Sequence, residues 1–172
     1  IGFNNSGALN IQTGTVALNA SGTHTGTFDV DAGSVLQFGG GTHALDATGL
    51  TLDGVLRVSG GTVTETGVLN AGATSVIELN NGTFTVNGTI DSPDFRQAGG
   101  ILAGTGTVTS SNLTWTGGQM TGTGSTISTG TLALSGANTK DLITRTFRNE
   151  VGGIVNWSNT GKPTCCNNVC WS

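Results

Sequence analysis

The chain has 172 residues, of which 30 are glycine, 9 % are charged and 35 % are hydrophobic, with a formal net charge of −4. This length allows one domain with a hydrophobic core, and six Lys and Arg residues are too few for the basic surface that nucleic acids need. No apolar run is long enough for a transmembrane helix, and Gly or Thr interrupts almost every window in which a helix would be sought.

A short Gly-Thr phrase repeats along the chain at nearly constant intervals. It begins at Gly22, Gly41, Gly61 and Gly82 and continues in degraded form at Gly100 and Gly118. A period of about 20 residues with short strands between turns is typical of a β-solenoid. We therefore predict an all-β fold, a right-handed parallel β-helix in which each coil spans one such period.

Apolar residues within each coil alternate with polar ones. Phe28 and Val30 form one such pair, and Leu50 and Leu52 form the matching pair one period later. Residues two apart in a strand share a face, so these pairs point into the coil. The register predicts that Asp53 lies above Asp31.

Two stretches break the repeat. We expect residues 91–98 (DSPDFRQA) to form a loop, and residues 140–150 (KDLITRTFRNE) to form a final irregular strand or a short helix that covers the open end of the solenoid. Residues 154–157 (IVNW) are predicted to form one more strand.

The end of the chain departs from the repeat, so we divide it into a solenoid domain, residues 1–162, and an irregular tail, residues 163–172. Cys165, Cys166 and Cys170 all lie in that tail. An odd, clustered set of cysteines does not form a disulfide framework, and no histidine lies nearby to complete a zinc site.

The phrases FNNSGALNIQTGTVAL, LTLDGVLRVSGGTVT and LTWTGGQMTGTGSTI resemble the repeats of large bacterial surface proteins, namely filamentous-haemagglutinin-like adhesins and autotransporter passenger domains. The resemblance covers roughly residues 3 to 160. It implies a right-handed β-solenoid that is exported to the cell surface or the extracellular space. It brings no catalytic residues, because that family shares none.

His24 and His43 follow the Gly-Thr phrase at the same place in successive coils, where later coils have Val63 and Phe84. We expect both imidazoles to point inward and to stack in the core, each hydrogen bonded to turn backbone. A metal site made by the pair is the alternative, and it would need a third ligand.

Asp29, Asp31 and Asp53 are predicted to point outward beside Asn10 and Gln12. Three interpretations remain open. They are solvated turn residues, they bind Ca²⁺, or two of them act in a hydrolase or lyase that cleaves polysaccharides. Ca²⁺ is the one cofactor that the sequence suggests.

Threonines flank the inward residues of several coils. We expect an outward double rank made of Thr23, Thr25, Thr62, Thr64, Thr83 and Thr85. Ice-binding solenoids present such Thr-x-Thr ranks, whereas the structural interpretation is that threonine favours strands and forms cross-strand ladders. Ala44 and Ile101 interrupt the rank.

Arg57 and Glu78 are one period apart and both point outward, with Gln37 one coil below. We predict an ion pair between them, worth less than about 1 kcal/mol at the surface.

The function expected from these patterns is that of a non-catalytic stalk or adhesive module of a secreted or surface-exposed protein. Its partner would be a carbohydrate or another cell-surface ligand, and an open coil end would allow end-to-end self-association. Polysaccharide cleavage and ice binding are the alternatives.

Overall fold

The computed structural model describes residues 1–159 and 163–165, with side chains described for residues 1–158. These residues form strands and one turn of 3-10 helix, Ala47–Gly49. The strands are β1 (Ala8–Ile11), β2 (Thr15–Leu18), β3 (Gly22–His24), β4 (Thr27–Val30), β5 (Val35–Phe38), β6 (Thr42–Asp46), β7 (Leu50–Leu52), β8 (Val55–Val58), β9 (Thr62–Thr66), β10 (Val68–Asn70), β11 (Val76–Leu79), β12 (Thr83–Val86), β13 (Thr89–Gln97), β14 (Ile101–Ala103), β15 (Thr107–Trp115), β16 (Gly118–Met120), β17 (Ser125–Gly136), β18 (Lys140–Leu142), β19 (Thr146–Asn149), β20 (Ile154–Asn159) and β21 (Pro163–Cys165).

The strands stack in parallel as a β-solenoid, which confirms the predicted fold class. Sheet 1 has the order β1-β4-β7, sheet 2 runs from β2 to β19, and sheet 3 is the eight-stranded stack β3-β6-β9-β12-β14-β16-β18-β21. The chain visits the three sheets in turn, so one strand of sheet 3 marks each of eight coils. Among the described residues, no helix has the length and apolar content needed to cross a lipid bilayer.

Sheets 1 and 2 fuse in the C-terminal half of the solenoid. In the early coils a turn separates the strand of sheet 1 from the strand of sheet 2. In the later coils β13 is one continuous strand that occupies both places, and it pairs with β10, β11 and β15. The loop predicted at residues 91–98 is therefore wrong for residues 91–97. The inward residues of this strand include Ser92 and Gln97, and their polarity concealed the strand period.

The C-terminal region adds another coil. Residues 140–142 and 146–149 form β18 and β19, so the strand alternative was correct and the helix was not. The strand predicted at residues 154–157 is confirmed as part of β20. Residues 163–165, placed in the tail by the sequence, pair with β18. Cys166 and Cys170 lie outside the described residues.

The core consists of columns of side chains that run along the solenoid. One column in sheet 2 passes through Phe38, Val58 and Leu79 and then meets Gln97. Gln97 is buried, and its Nε2 donates to the Gln119 carbonyl at 2.9 Å. A polar residue enters the core at this position with its amide nitrogen satisfied by a backbone carbonyl of β16, while its Oε1 has no partner among the described residues.

Glycine sets the turn that leads into sheet 3. Gly61 and Gly82 stack in successive coils with φ of 68° and 77°, in the left-handed region that favours glycine. A Cβ on Gly82 would lie 2.5 Å from the Gly61 carbonyl oxygen. At Gly61 and Gly82, glycine is therefore required both by the backbone conformation and by the close approach of the coils.

Candidate functional site

The outer face of sheet 3 carries the threonine columns. Thr42 pairs with Thr62, and Thr62 pairs with Thr83. Beside this column, Thr64 pairs with Thr85. Strand geometry places these side chains about 4.8 Å apart between coils and about 6.7 Å apart along a strand. The surface formed by these five residues is called the threonine face.

Thr23 and Thr25 do not join this surface as predicted. Thr23 lies opposite Ala44, and Thr25 follows the end of β3. The cause is that β3 is shifted by two residues relative to the predicted register with β6: Gly22 pairs with His43 rather than with Gly41. Gly41 instead packs over the backbone of Ala20 and Ser21, so the phrase begins two residues later in the first coil.

A third polar column borders the threonine face, and the sequence reasoning missed it. Asp46 pairs with Thr66, and Asn87 follows Val86, whose partner is Glu65, so Asn87 lies beside Thr66. The third coil therefore presents three outward threonines in one strand, which the alternation TVTET would have indicated. Further along, Ile101 replaces threonine, so the threonine face spans coils two to four.

The three aspartates keep the predicted register without forming a cluster. Phe28 pairs with Leu50, and Asp29 lies between Asn10 and Thr51. The Asp53 N–H donates to Val30, which places Asp53 next to Asp31. All three side chains are exposed. In residues 1–159 and 163–165, no three His, Cys, Asp or Glu side chains are arranged to hold a metal ion.

His24 and His43 are both buried and their rings stack, with centroids 5.3 Å apart. His24 Nε2 lies 3.1 Å from His43 Nδ1, and His43 Nε2 lies 2.8 Å from the Gly40 carbonyl. If His43 donates to that carbonyl, its Nδ1 accepts from His24, which leaves buried His24 Nδ1 without a partner among the described residues. The predicted burial and stacking of the pair are confirmed, and the predicted bond to turn backbone is present for His43 but not for His24. The two rings do not occupy equivalent places, since His24 pairs with Leu45.

Burial, together with the smaller effect of the neighbouring His43, lowers the pKa of His24 to about 4. The pair therefore favours the neutral imidazole. The two facing nitrogens bond to each other, and the described residues offer no third ligand. The geometry gives no support to the metal alternative.

Glu65 is a buried carboxylate that the sequence reasoning missed. It continues the inward column of His24 and Leu45 in sheet 3. Its Oε2 accepts from the Gly88 N–H at 3.3 Å, and its Oε1 has no partner among the described residues. Burial raises the pKa of Glu65, the hydrogen bond from Gly88 partly offsets this, and the nearby Asp46 adds a smaller rise. The net result is a pKa of about 7. Glu65 lies behind the threonine face and does not belong to it.

Arg145 is a second buried charge, 3 % exposed. Its Nε donates to Thr126 Oγ1 at 2.8 Å, and its Nη2 donates to the Ser125 and Gly106 carbonyls at 2.9 and 3.2 Å. Burial lowers its pKa to about 10, so it remains charged at neutral pH. The preceding Thr144 has a φ of 61°, which turns the chain so that the guanidinium enters the core.

The predicted ion pair on sheet 2 is confirmed. Arg57 Nε lies 2.7 Å from Glu78 Oε2, and Arg57 Nη1 donates to Gln37 Oε1 at 3.4 Å. Arg96 extends the ladder, with 3.9 Å between its Nη1 and Glu78 Oε1. The sequence reasoning missed Arg96 because it was assigned to a loop.

Comparison with protein-family models, with curated proteins and with solved structures found no match to this chain.

Proposed function

We propose that this chain is a non-catalytic adhesive module of a secreted or surface-exposed protein, and that the threonine face is its binding surface. The observation that carries the proposal is the register of Thr62 with Thr83 and of Thr64 with Thr85. The resemblance of the repeats to bacterial surface adhesins supports the extracellular location.

The threonine face suits a flat, ordered ligand such as a crystalline polysaccharide. Threonine side chains are short and β-branched, so they lose little conformational freedom on binding. Each offers a hydroxyl that donates and accepts and a methyl group that packs on an apolar ring face. Because adjacent coils repeat the same groups, many weak contacts form together.

The test is retention of the purified chain on insoluble crystalline cellulose and chitin. We expect Thr64→Lys and Thr85→Lys to weaken retention about tenfold or more, because a long charged side chain in the middle of the threonine face holds the ligand away. The matched control is Thr109→Lys, at a half-buried outward position of sheet 2. Equal retention of all three variants would overturn the proposal.

Ice is the second candidate ligand, favoured by the same two in-register threonine pairs. Thermal hysteresis of the wild type and of Thr64→Lys separates this function from polysaccharide adhesion. Activity that is lost in Thr64→Lys assigns the threonine face to ice, and its absence at high protein concentration rejects this candidate.

Polysaccharide cleavage by Asp29, Asp31 and Asp53 has less support. Asp31 and Asp53 lie next to each other, but Asp29 faces an amide and a hydroxyl across the coils, so the three carboxylates do not form one cluster.

A further inference from the structure

The sequence contains two Asn-Gly dipeptides, Asn81-Gly82 and Asn87-Gly88, which lie directly before and after β12. Asparagine followed by glycine cyclises readily: the glycine nitrogen attacks the side-chain Cγ, and a succinimide ring forms as ammonia leaves. Glycine permits this because it has no Cβ to obstruct the ring. Both asparagines are exposed and both are followed by Gly-Thr, so only their surroundings distinguish them.

The Gly88 nitrogen lies against a buried carboxylate. The Gly88 N–H donates to Glu65 Oε2 at 3.3 Å, and Glu65 is paired with Val86 in the preceding coil. A Cβ on Gly88 would lie 2.7 Å from Glu65 Oε1 and 2.0 Å from the Gly67 carbonyl oxygen, so a larger residue would not fit here. Glu65 is therefore placed to take the proton from the nitrogen that attacks Asn87 Cγ.

The ionisation of Glu65 suits this role. Burial raises its pKa, the hydrogen bond from Gly88 partly offsets the rise, Asp46 adds a smaller one, and the result is a pKa of about 7. Such a carboxylate is a stronger base than a solvated one, and a large part of it is ionised at neutral pH. Its buried Oε1 has no partner among the described residues.

The side-chain carbonyl of Asn87 is held from the next coil. Asn87 Oδ1 accepts from the Thr105 N–H at 3.3 Å and from Thr105 Oγ1 at 3.5 Å. These two donors polarise the carbonyl and stabilise the negative charge that collects on Oδ1 when Cγ is attacked. A base, a nucleophile and oxyanion donors therefore meet at one amide.

Asn81 provides the contrast. The Gly82 N–H donates to Asn81 Oδ1 itself at 2.8 Å, so the attacking nitrogen directs its proton at the oxygen of the amide that it would attack. The two dipeptides are thus a matched pair at the two ends of one strand. The glycine N–H is bonded to a carboxylate at Gly88 and to a neutral amide oxygen at Gly82.

We propose that Glu65 is the general base of a self-catalysed deamidation at Asn87. Glu65 takes the proton of the Gly88 nitrogen, this nitrogen bonds to Asn87 Cγ, and negative charge collects on Oδ1. The carbonyl re-forms, the Cγ–Nδ2 bond breaks, and Nδ2 leaves as ammonia with the proton that Glu65 held. Water then opens the succinimide at either carbonyl, which gives aspartate or isoaspartate at position 87. The reaction does not depend on the proposed function.

The first experiment incubates the folded wild-type chain at neutral pH and measures deamidation at both dipeptides by peptide mass spectrometry. We expect Asn87 to react about tenfold faster than Asn81, or more, because only its attacking nitrogen is bonded to a base. In the urea-unfolded chain the two Asn-Gly-Thr sequences should react at similar rates. Equal rates in the folded chain, or a faster Asn81, would overturn the proposal.

Glu65→Gln is the matched variant, because the glutamine oxygen still accepts from the Gly88 N–H but cannot take its proton. We expect the rate at Asn87 to fall about tenfold or more while the rate at Asn81 stays unchanged. An unchanged rate at Asn87 in the folded variant would show that Glu65 is not the base. If the variant does not fold, the wild-type comparison of Asn87 with Asn81 decides by itself.

The product at position 87 tests the route. A mixture of isoaspartate and aspartate is expected, because water opens the succinimide at either carbonyl. Aspartate alone would show direct hydrolysis of the amide and would contradict attack by the Gly88 nitrogen.

Discussion

Arg145→Ala is expected to lower the free energy of opening the C-terminal coil by about 2–4 kcal/mol. The guanidinium of Arg145 bonds to groups as far back as Gly104, 41 residues away, so it ties the last coil to the coils before it. Alanine removes these charge-assisted hydrogen bonds and leaves a cavity. Alanine also removes the desolvation cost of the buried charge, which favours the variant. The loss of four hydrogen bonds from the guanidinium is the larger effect.

Native-state hydrogen exchange measures this effect, because the ends of a solenoid open locally rather than with the whole domain. The backbone amides of β19 should exchange faster in Arg145→Ala, while those of β5 and β8 stay unchanged. Arg145→Lys is the matched variant: it keeps the charge but loses the planar fork, and it should behave almost like alanine. Wild-type protection of β19 in both variants would show that the guanidinium contributes no stability.

Glu65→Gln is expected to stabilise the protein by up to about 3 kcal/mol at pH 8 and to have little effect at pH 4. The folded state raises the pKa of Glu65 from 4.5 to about 7, so folding binds a proton between these values. Stability contributed through this group is greatest below pH 4.5 and falls as the pH rises to about 7.

His24 acts in the opposite direction. Its pKa falls from 6.5 to about 4 on folding, so the unfolded chain binds the extra proton between these values and stability rises with pH across that window. The titratable neighbour that affects the pKa of His24 is His43, and the one that affects the pKa of Glu65 is Asp46. Between about pH 4.5 and 6.5 the two slopes oppose each other, and their joint contribution is nearly flat.

Urea unfolding at several pH values of wild type, Glu65→Gln and His24→Leu separates the two groups. In Glu65→Gln, stability should rise from pH 4 to 6.5, because only the histidine contribution remains. In His24→Leu, which matches Leu45 in the same column, stability should fall from pH 4.5 to 7. Parallel pH profiles for all three proteins would contradict the assigned burial of both groups.

The repeat period and the apolar alternation were sufficient to predict the fold and part of the register. The match of Phe28 with Leu50 and the Arg57–Glu78 pair followed from spacing alone, because strand geometry fixes which residues lie side by side in successive coils. The threonine pairs of coils three and four were predicted in the same way.

The misplaced features have two physical causes. The Gly-Thr-His phrase of the first coil was aligned by identity, although Gly22 takes an inward place and not the turn place of Gly41. Polar residues at inward positions, Ser92, Glu65 and Arg145, look like surface residues in a sequence. Ser92 and Glu65 can be placed inside only by counting alternate residues along their strands. Arg145 is placed inside by the turn at Thr144.

The threonine face exists only if the coils have the register described, and cysteine cross-linking measures that register directly. In a background with serine at positions 165, 166 and 170, Thr64→Cys with Thr85→Cys places two thiols on directly paired residues, within the range that a disulfide spans. Thr62→Cys with Thr85→Cys is offset by two residues. We expect rapid oxidation of the first pair and none of the second, and efficient cross-linking of the offset pair instead would contradict the threonine face.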